Sequence, residues 1–160
     1  MQTLLPIAAE IGARLKSRRE TIAIAESSSG GLISAALLAV PGASAYYRGG
    51  GVIYAPPAFR GLMGLDKSDM QDMRSSTEPY SLLLARTIRT KLRATWGLSE
   101  TGAAGPTGNP YGDAAGHTCI GLAGETLELA RTLETGITDR AQNMRLFALE
   151  ALEYLHAALV

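Results

Sequence analysis

The stretch Thr21-Ile22-Ala23-Ile24-Ala25-Glu26-Ser27-Ser28-Ser29-Gly30-Gly31 runs on through Leu32-Ile33-Ser34-Ala35-Ala36-Leu37-Leu38-Ala39-Val40 to Pro41-Gly42, and its reading decides the fold class. Thr21 to Ala25 is short, partly β-branched and apolar, the pattern of a buried strand. Ser28 and Ser29 offer a helix cap. The apolar run that follows reads as a buried helix, ended by Pro41-Gly42. Strand, serine-glycine turn, helix is the opening of a βα unit. Ligands collect at the carboxyl end of such a strand.

Outward from this unit, Leu4, Leu5, Ile7, Ala8, Ile11 and Leu15 recur at three- and four-residue steps, which predicts an amphipathic helix over 3–18. Gly51-Val52-Ile53-Tyr54-Ala55 reads as a second strand, stopped by Pro56-Pro57 because proline cannot donate to a sheet ladder. Residues 58–74 read as one or two short helices around Gly64. Pro79 suits the first turn of a helix over 79–95 that carries Leu82, Leu83, Ile88 and Leu92 inward. A strand is expected at 96–101, then a long loop from Gly102 to Gly116 with five glycines and two prolines. Loops near 15 residues are uncommon in compact domains and are usually functional. Strands over 118–123 and 127–133, joined at Gly124-Glu125, and a helix over 139–158 complete the chain. The order implies a single domain, a three-layer α/β/α sandwich around a mixed sheet.

Composition narrows the function. The 160 residues hold 15 basic and 15 acidic side chains, so no polyanion-binding surface is expected and nucleic acid is not an expected partner. The basic runs Arg14-Lys16-Arg18-Arg19 and Arg86-Arg89-Lys91-Arg93 read as solvated helix faces. The single cysteine, Cys119, lies in an apolar run and reads as a buried strand residue rather than a nucleophile. One cysteine, no signal-peptide pattern and no membrane-length apolar run together predict a cytoplasmic protein.

Four clusters could carry chemistry. Glu26 to Gly31 puts hydroxyls and backbone N–H groups at a helix start, where anions bind. Its spacing is neither that of a Walker loop nor that of a nucleophile elbow. Pro41 to Gly51 sets Ser44, Tyr46, Tyr47 and Arg48 beside Gly49-Gly50-Gly51, with Tyr54 next. Glycines admit close backbone approach and the tyrosines can stack or hydrogen-bond. Thr101 to His117 has the length of a lid. Thr138-Asp139-Arg140 opens the last helix, with Asp139 as its cap.

Together these clusters resemble the carboxy-terminal domain of the CinA family, the competence- and damage-inducible proteins that include bacterial nicotinamide mononucleotide amidohydrolase. Ala25-Glu26-Ser27-Ser28-Ser29-Gly30-Gly31 stands in place of the family's Ala-Glu-Ser-Cys-Thr-Gly-Gly. Pro41-Gly42-Ala43-Ser44, Tyr46-Tyr47, Arg48-Gly49, Val52-Ile53-Tyr54, Thr77-Glu78, Gly102-Ala103-Ala104-Gly105-Pro106 and Thr138-Asp139-Arg140 follow in the family order. The resemblance implies hydrolysis of the carboxamide of nicotinamide mononucleotide, giving nicotinic acid mononucleotide and ammonia. It implies no metal and no cofactor, a serine paired with a lysine, and a homodimer. By position it gives Ser27 and Ser44 as hydroxyl candidates, with Tyr54 and Thr101 in the pocket wall. Ser29, Gly30, Gly31, Gly49, Gly102 and Gly105 stand against the substrate, and Arg140 is available to its phosphate. An amide is a poor electrophile and needs an activated nucleophile, a base and oxyanion donors.

Two departures bear on mechanism. Phe59 falls where the family has its lysine, and the adjacent Arg60 stays protonated and cannot act as a base. His117 replaces a threonine of the family's Pro-Val-Gly-Thr, and an imidazole there is a candidate base. Two alternatives follow: a nucleotide-binding or regulatory protein without catalysis, and a deamidase of a related substrate.

Overall fold

In the computed structural model, which describes residues 1–159, the chain begins with helix α1, Leu5–Arg18, and strand β1, Ile22–Glu26. Helix α2, Leu32–Leu38, and a single 3₁₀ turn, Ala43–Ala45, lead to β2, Tyr47–Val52. Helices α3, Pro56–Gly61, and α4, Glu78–Lys91, precede β3, Trp96–Ala103. Strands β4, His117–Ala123, and β5, Glu128–Glu134, lead into the last helix, α5, Arg140–Ala158. The strand order is β2-β1-β3-β4-β5. β1 pairs parallel with β2 and β3, while β3–β4 and β4–β5 are antiparallel.

Alternation along β1 builds both cores. Ile22 and Ile24 point into a cluster with Leu4, Ile11 and Leu15 of the α1 side, Ile33 and Leu37 of α2, and Leu152 and Leu155 of α5. Ala23 and Ala25 point the other way, onto Tyr80, Leu84 and Ile88 of α4. Every residue of β1 is buried, as a strand covered on both faces requires. The result is the expected three-layer α/β/α sandwich around a mixed sheet.

Three local expectations are corrected. β2 spans Tyr47–Val52 rather than 51–55, so Gly49 and Gly50 lie inside it rather than in a loop before it, and Ile53 and Tyr54 follow it. A Cβ on Gly50 would sit 2.6 Å from the carbonyl oxygen of Ile24, so that glycine serves strand packing. Ser28 and Ser29 do not cap α2, whose N-cap Gly31 has no side-chain bond. That work falls to the Glu26 carboxylate, which accepts from the backbone N–H groups of Gly31, Ile33 and Ser34. On α4 the inward side chains are Tyr80, Leu84 and Ile88, one step away from the expected leucine pair Leu82 and Leu83.

The chain leaves β1 for β2 on one side and then crosses to β3 on the other. The carboxyl end of β1 is therefore the point where strand order reverses, where open α/β sheets place their ligands.

Candidate functional site

A cleft of about 880 Å³ opens at this end of the parallel strands. Ser27 enters its wall directly after β1, and Thr101 and Gly102 enter from the end of β3. Ile53 and Tyr54 follow β2, Phe59 and Arg60 come from α3, and Tyr80 from α4. Phe59 stacks on Tyr80 with centroids 5.9 Å apart. Tyr54, Phe59, Tyr80 and Tyr111 give the cleft aromatic walls suited to a flat ring, and Arg60 and Lys67 are its two cations.

A second cavity of about 250 Å³ shares Tyr54, Gly102, Asn109 and Pro110 with the first and adds Ser28, Gly105, Thr107 and Arg140. The Arg140 guanidinium donates to the carbonyl of Gly105 at 2.8 Å and to the Tyr54 hydroxyl at 3.1 Å. Its position at the first residue of α5 is set by Asp139, which caps the helix by accepting from the Gln142 N–H at 2.8 Å. Gly102 has no room for a side chain: a Cβ there would meet the His117 carbonyl at 2.2 Å. Strand β4 passes too close behind this part of the cleft wall for any other residue.

Two polar clusters hold the cleft's walls. The first lies under the Ser27 turn. Glu26 and Glu100 are both fully buried. Glu100 accepts from the N–H groups of Ser27 at 3.2 Å and Ser29 at 2.8 Å, and from the Thr118 hydroxyl at 2.9 Å. Burial pushes its carboxyl up from the ordinary value, against the pull of those bonds. The second cluster ties the 104–116 loop to the segment before α4. Arg74 donates to both oxygens of Asp113, at 2.6 and 2.8 Å. The Arg74 guanidinium holds the Asp113 carboxyl at about 2, well below its usual 3.8. Asn109 donates to Asp113 at 2.8 Å and accepts from the N–H of Tyr111 at 3.1 Å.

The expected site residues thus separate into three groups. Ser27, Tyr54, Thr101 and Gly102 share the large cleft, and Gly105 and Arg140 line the cavity beside it. Ser29 is fully buried between the glutamates, and Gly30 and Gly31 lie along the start of α2; none of the three lines either cavity. Gly49 and Ser44 are elsewhere. Ser44 is exposed in the 3₁₀ turn that precedes β2, at the amino end of the parallel strands. Tyr47, three residues on, pairs with Ile22 at the start of β1, whereas Ser27 follows its end. The length of β2, roughly 20 Å at ~3.3 Å per residue, separates Ser44 from the cleft within this chain.

His117 is corrected as a base. It is buried and absent from both cavity walls. One ring nitrogen, Nδ1, bonds Glu134, and the other, Nε2, lies 2.9 Å from the Ser76 carbonyl oxygen and 3.8 Å from Asp113. Burial alone would lower its pKa, but these partners outweigh it and raise it. An imidazole with both nitrogens facing acceptors carries both protons and has no lone pair to offer. Cys119 is buried, as its apolar run implied. Among the described residues no His, Cys, Asp and Glu grouping is arranged to hold a metal ion, and no helix is long and apolar enough to cross a membrane.

Sequence reasoning missed Glu100, Tyr80 and Lys67, and reached Asn109 and Tyr111 only as part of the 101–117 loop. A signal for Glu100 was present. It is a carboxylate inside an expected strand, two residues after Leu98 and so on the same face, the one that packs toward α2.

The CinA C-terminal domain family profile matches residues 4–159. A CinA-like protein of Desulfosudis oleivorans is 36% identical over 98% of this chain, and the match spans 38% of that protein. One from Salinibacter ruber is 38% identical over 91% of the chain and 35% of its own length. The chain therefore spans little more than a third of the curated relatives it matches. Among solved structures, a competence or damage-inducible protein from Enterobacter asburiae superposes with a TM-score of 0.91 at 24% identity over 98% of both chains. The competence/damage inducible protein CihA from Agrobacterium tumefaciens gives 0.89 at 25%, over 98% of this chain and 94% of that one. With a family match over nearly its whole length and the same sheet and helices, this chain belongs to the CinA C-terminal domain family.

Proposed function

We propose that the cleft binds a nicotinamide mononucleotide-class ligand and that the chain hydrolyses the ligand's carboxamide through Ser27. The observation that carries this reading is the meeting of Ser27, Tyr54 and Thr101 in one aromatic-walled cleft that adjoins the Arg140 cavity. The flat ring stacks on the tyrosines, and the phosphate reaches the guanidinium N–H groups that Gly105 and Tyr54 leave free. The Ser27 hydroxyl attacks the carboxamide carbon, ammonia leaves with the proton taken from Ser27, and water then cleaves the acyl-serine to the carboxylate. Lys67 is the one amine among the residues lining the cleft, and stands closest in kind to the family lysine. The protein acts in the cytoplasm, without a cofactor, as a homodimer.

Purified protein given nicotinamide mononucleotide should release ammonia, and Ser27→Ala should lower the rate at least 100-fold. Folded protein with no turnover above buffer defeats the hydrolytic reading.

One observation favours a second reading, binding without hydrolysis. Phe59 stacks on Tyr80 at the position where the family resemblance puts its lysine. That reading expects the nucleotide to raise the melting temperature with no product formed, and Phe59→Lys to create ammonia release in an inert protein.

A further inference from the structure

Ala25 of β1 pairs with Ser99 of β3, and Glu26 and Glu100 are the next residues on each strand, so the two side chains leave neighbouring strands on the same face. Neither is in an ion pair among the described residues. The Ser29 hydroxyl oxygen lies 2.9 Å from an oxygen of Glu26 and 2.8 Å from one of Glu100. A hydroxyl has a single proton, so it can donate to only one of them. The other contact needs a proton from the carboxyl side, since two bare acceptors at that distance repel.

The remaining partners decide which glutamate carries it. Glu26 faces three backbone N–H groups, the Ser34 hydroxyl at 2.6 Å, and Ser29. The three backbone N–H groups are committed donors, one more than Glu100 has, and they sit at the start of α2, where negative charge is favoured; the Ser34 hydroxyl, like that of Ser29, can donate or accept. Glu100 has two backbone donors and two hydroxyls, Ser29 and Thr118, either of which can accept as well as donate.

We propose that Glu100 is a neutral carboxylic acid at neutral pH, donating to Ser29, which donates to an ionised Glu26, and that this proton-sharing pair is the positioning device of the Ser27 turn. The groups facing the pair are Ser27 and Ser29 from the turn, Ser34 from α2, Thr118 from β4 and, through Ser34, Tyr47 from β2. None is cationic. Losing the proton would set two negative charges across one hydroxyl in a dry site. The like charges would then push the two carboxylates apart and break the Ser29 hydroxyl bridge that ties the turn to both strands, since one proton cannot serve two anions. The consequence for ligand binding rests on Ser27 facing the ligand as proposed above; the proton count does not.

The test is infrared spectroscopy of protein carrying isotope-labelled glutamate at pH 7.5. We expect one un-ionised carboxylic acid band, absent in Glu100→Gln, kept in the exposed-site control Glu10→Gln, and shifted in Ser29→Ala. No such band in the wild-type protein, or a band that survives Glu100→Gln, overturns the proposal. Thermal unfolding supplies a second readout. The folded state holds a proton that the unfolded chain releases above its ordinary carboxyl range, so the wild type should lose stability as pH rises above about 5. Over that window the folding equilibrium falls by up to about tenfold per pH unit relative to Glu100→Gln. Equal pH slopes for the two proteins contradict the proposal. Nicotinamide mononucleotide binding is measured alongside. If the acid band is present and the nucleotide does not bind, the functional reading fails and the proton assignment stands.

Discussion

The two polar clusters that frame the cleft solve the same problem by opposite means. Under the Ser27 turn, Glu26 and Glu100 are fully buried, carry no counter-cation, and are satisfied by N–H groups and hydroxyls. Across the cleft, Arg74, Asp113, His117 and Glu134 pair cations with anions at the rim of a loop. The first cluster fixes a short turn to the sheet and tolerates no loss of a partner, because an unmet buried group costs its full desolvation. The second ties down a long loop through pairs in which one end, Arg74 or Glu134, is exposed, so solvent screens part of each pair. One wall of the cleft is therefore rigid, and the other can yield.

The largest expected effect tests the rigid wall. Glu26→Gln replaces an acceptor-only group with one whose NH₂ faces existing donors, and should cost about 3 kcal/mol in denaturant unfolding. A loss below about 1 kcal/mol would place the two clusters on equal terms. His117→Gln comes next. It removes a buried donor to Glu134 and to the Ser76 carbonyl, and about 2 kcal/mol is expected. The pH dependence has a definite sign. The folded pKa of His117 is raised, so its contribution is complete below about 6.5 and disappears as pH climbs through the folded value. The histidine variant should lack that alkaline decline.

A smaller effect is expected at Arg74. Arg74→Ala frees the Asp113 carboxyl from the guanidinium that holds it at about 2. Because Asp113 is depressed, its contribution is present above its ordinary 3.8 and fades as pH falls toward 2. The variant should be only slightly less stable at neutral pH, with the acid limb of its unfolding curve flattened. Hydrogen exchange should quicken at residues 107–113 and not at 26–31. Faster exchange in both segments would show that the walls are coupled.

The same contrast explains what the sequence disclosed. The βα opening was legible at Ile22–Glu26 because burial on both faces leaves an apolar run and the turn chemistry follows at once. Membership of the family was legible because many short motifs occur in order. The place of Ser44 was not. A serine in a glycine-flanked turn looks alike at either end of a strand, and only the parallel pairing of β2 with β1 shows that Ser44 lies at the amino end. His117 was misread because its partners, Ser76 and Glu134, come from distant segments. Lys67 and Tyr80 reach the cleft through packing of the 56–80 region, which has no periodic signature of its own.

A crystal soaked with nicotinamide mononucleotide tests the central claim most directly. The account predicts the pyridine ring against Tyr54 or Tyr80, the phosphate at Arg140, and the carboxamide carbon about 3–3.5 Å from the Ser27 hydroxyl oxygen, the distance of a reactive approach. A nucleotide bound away from the carboxyl ends of β1 and β3, or seated in the cleft with its carboxamide turned from Ser27, would contradict it.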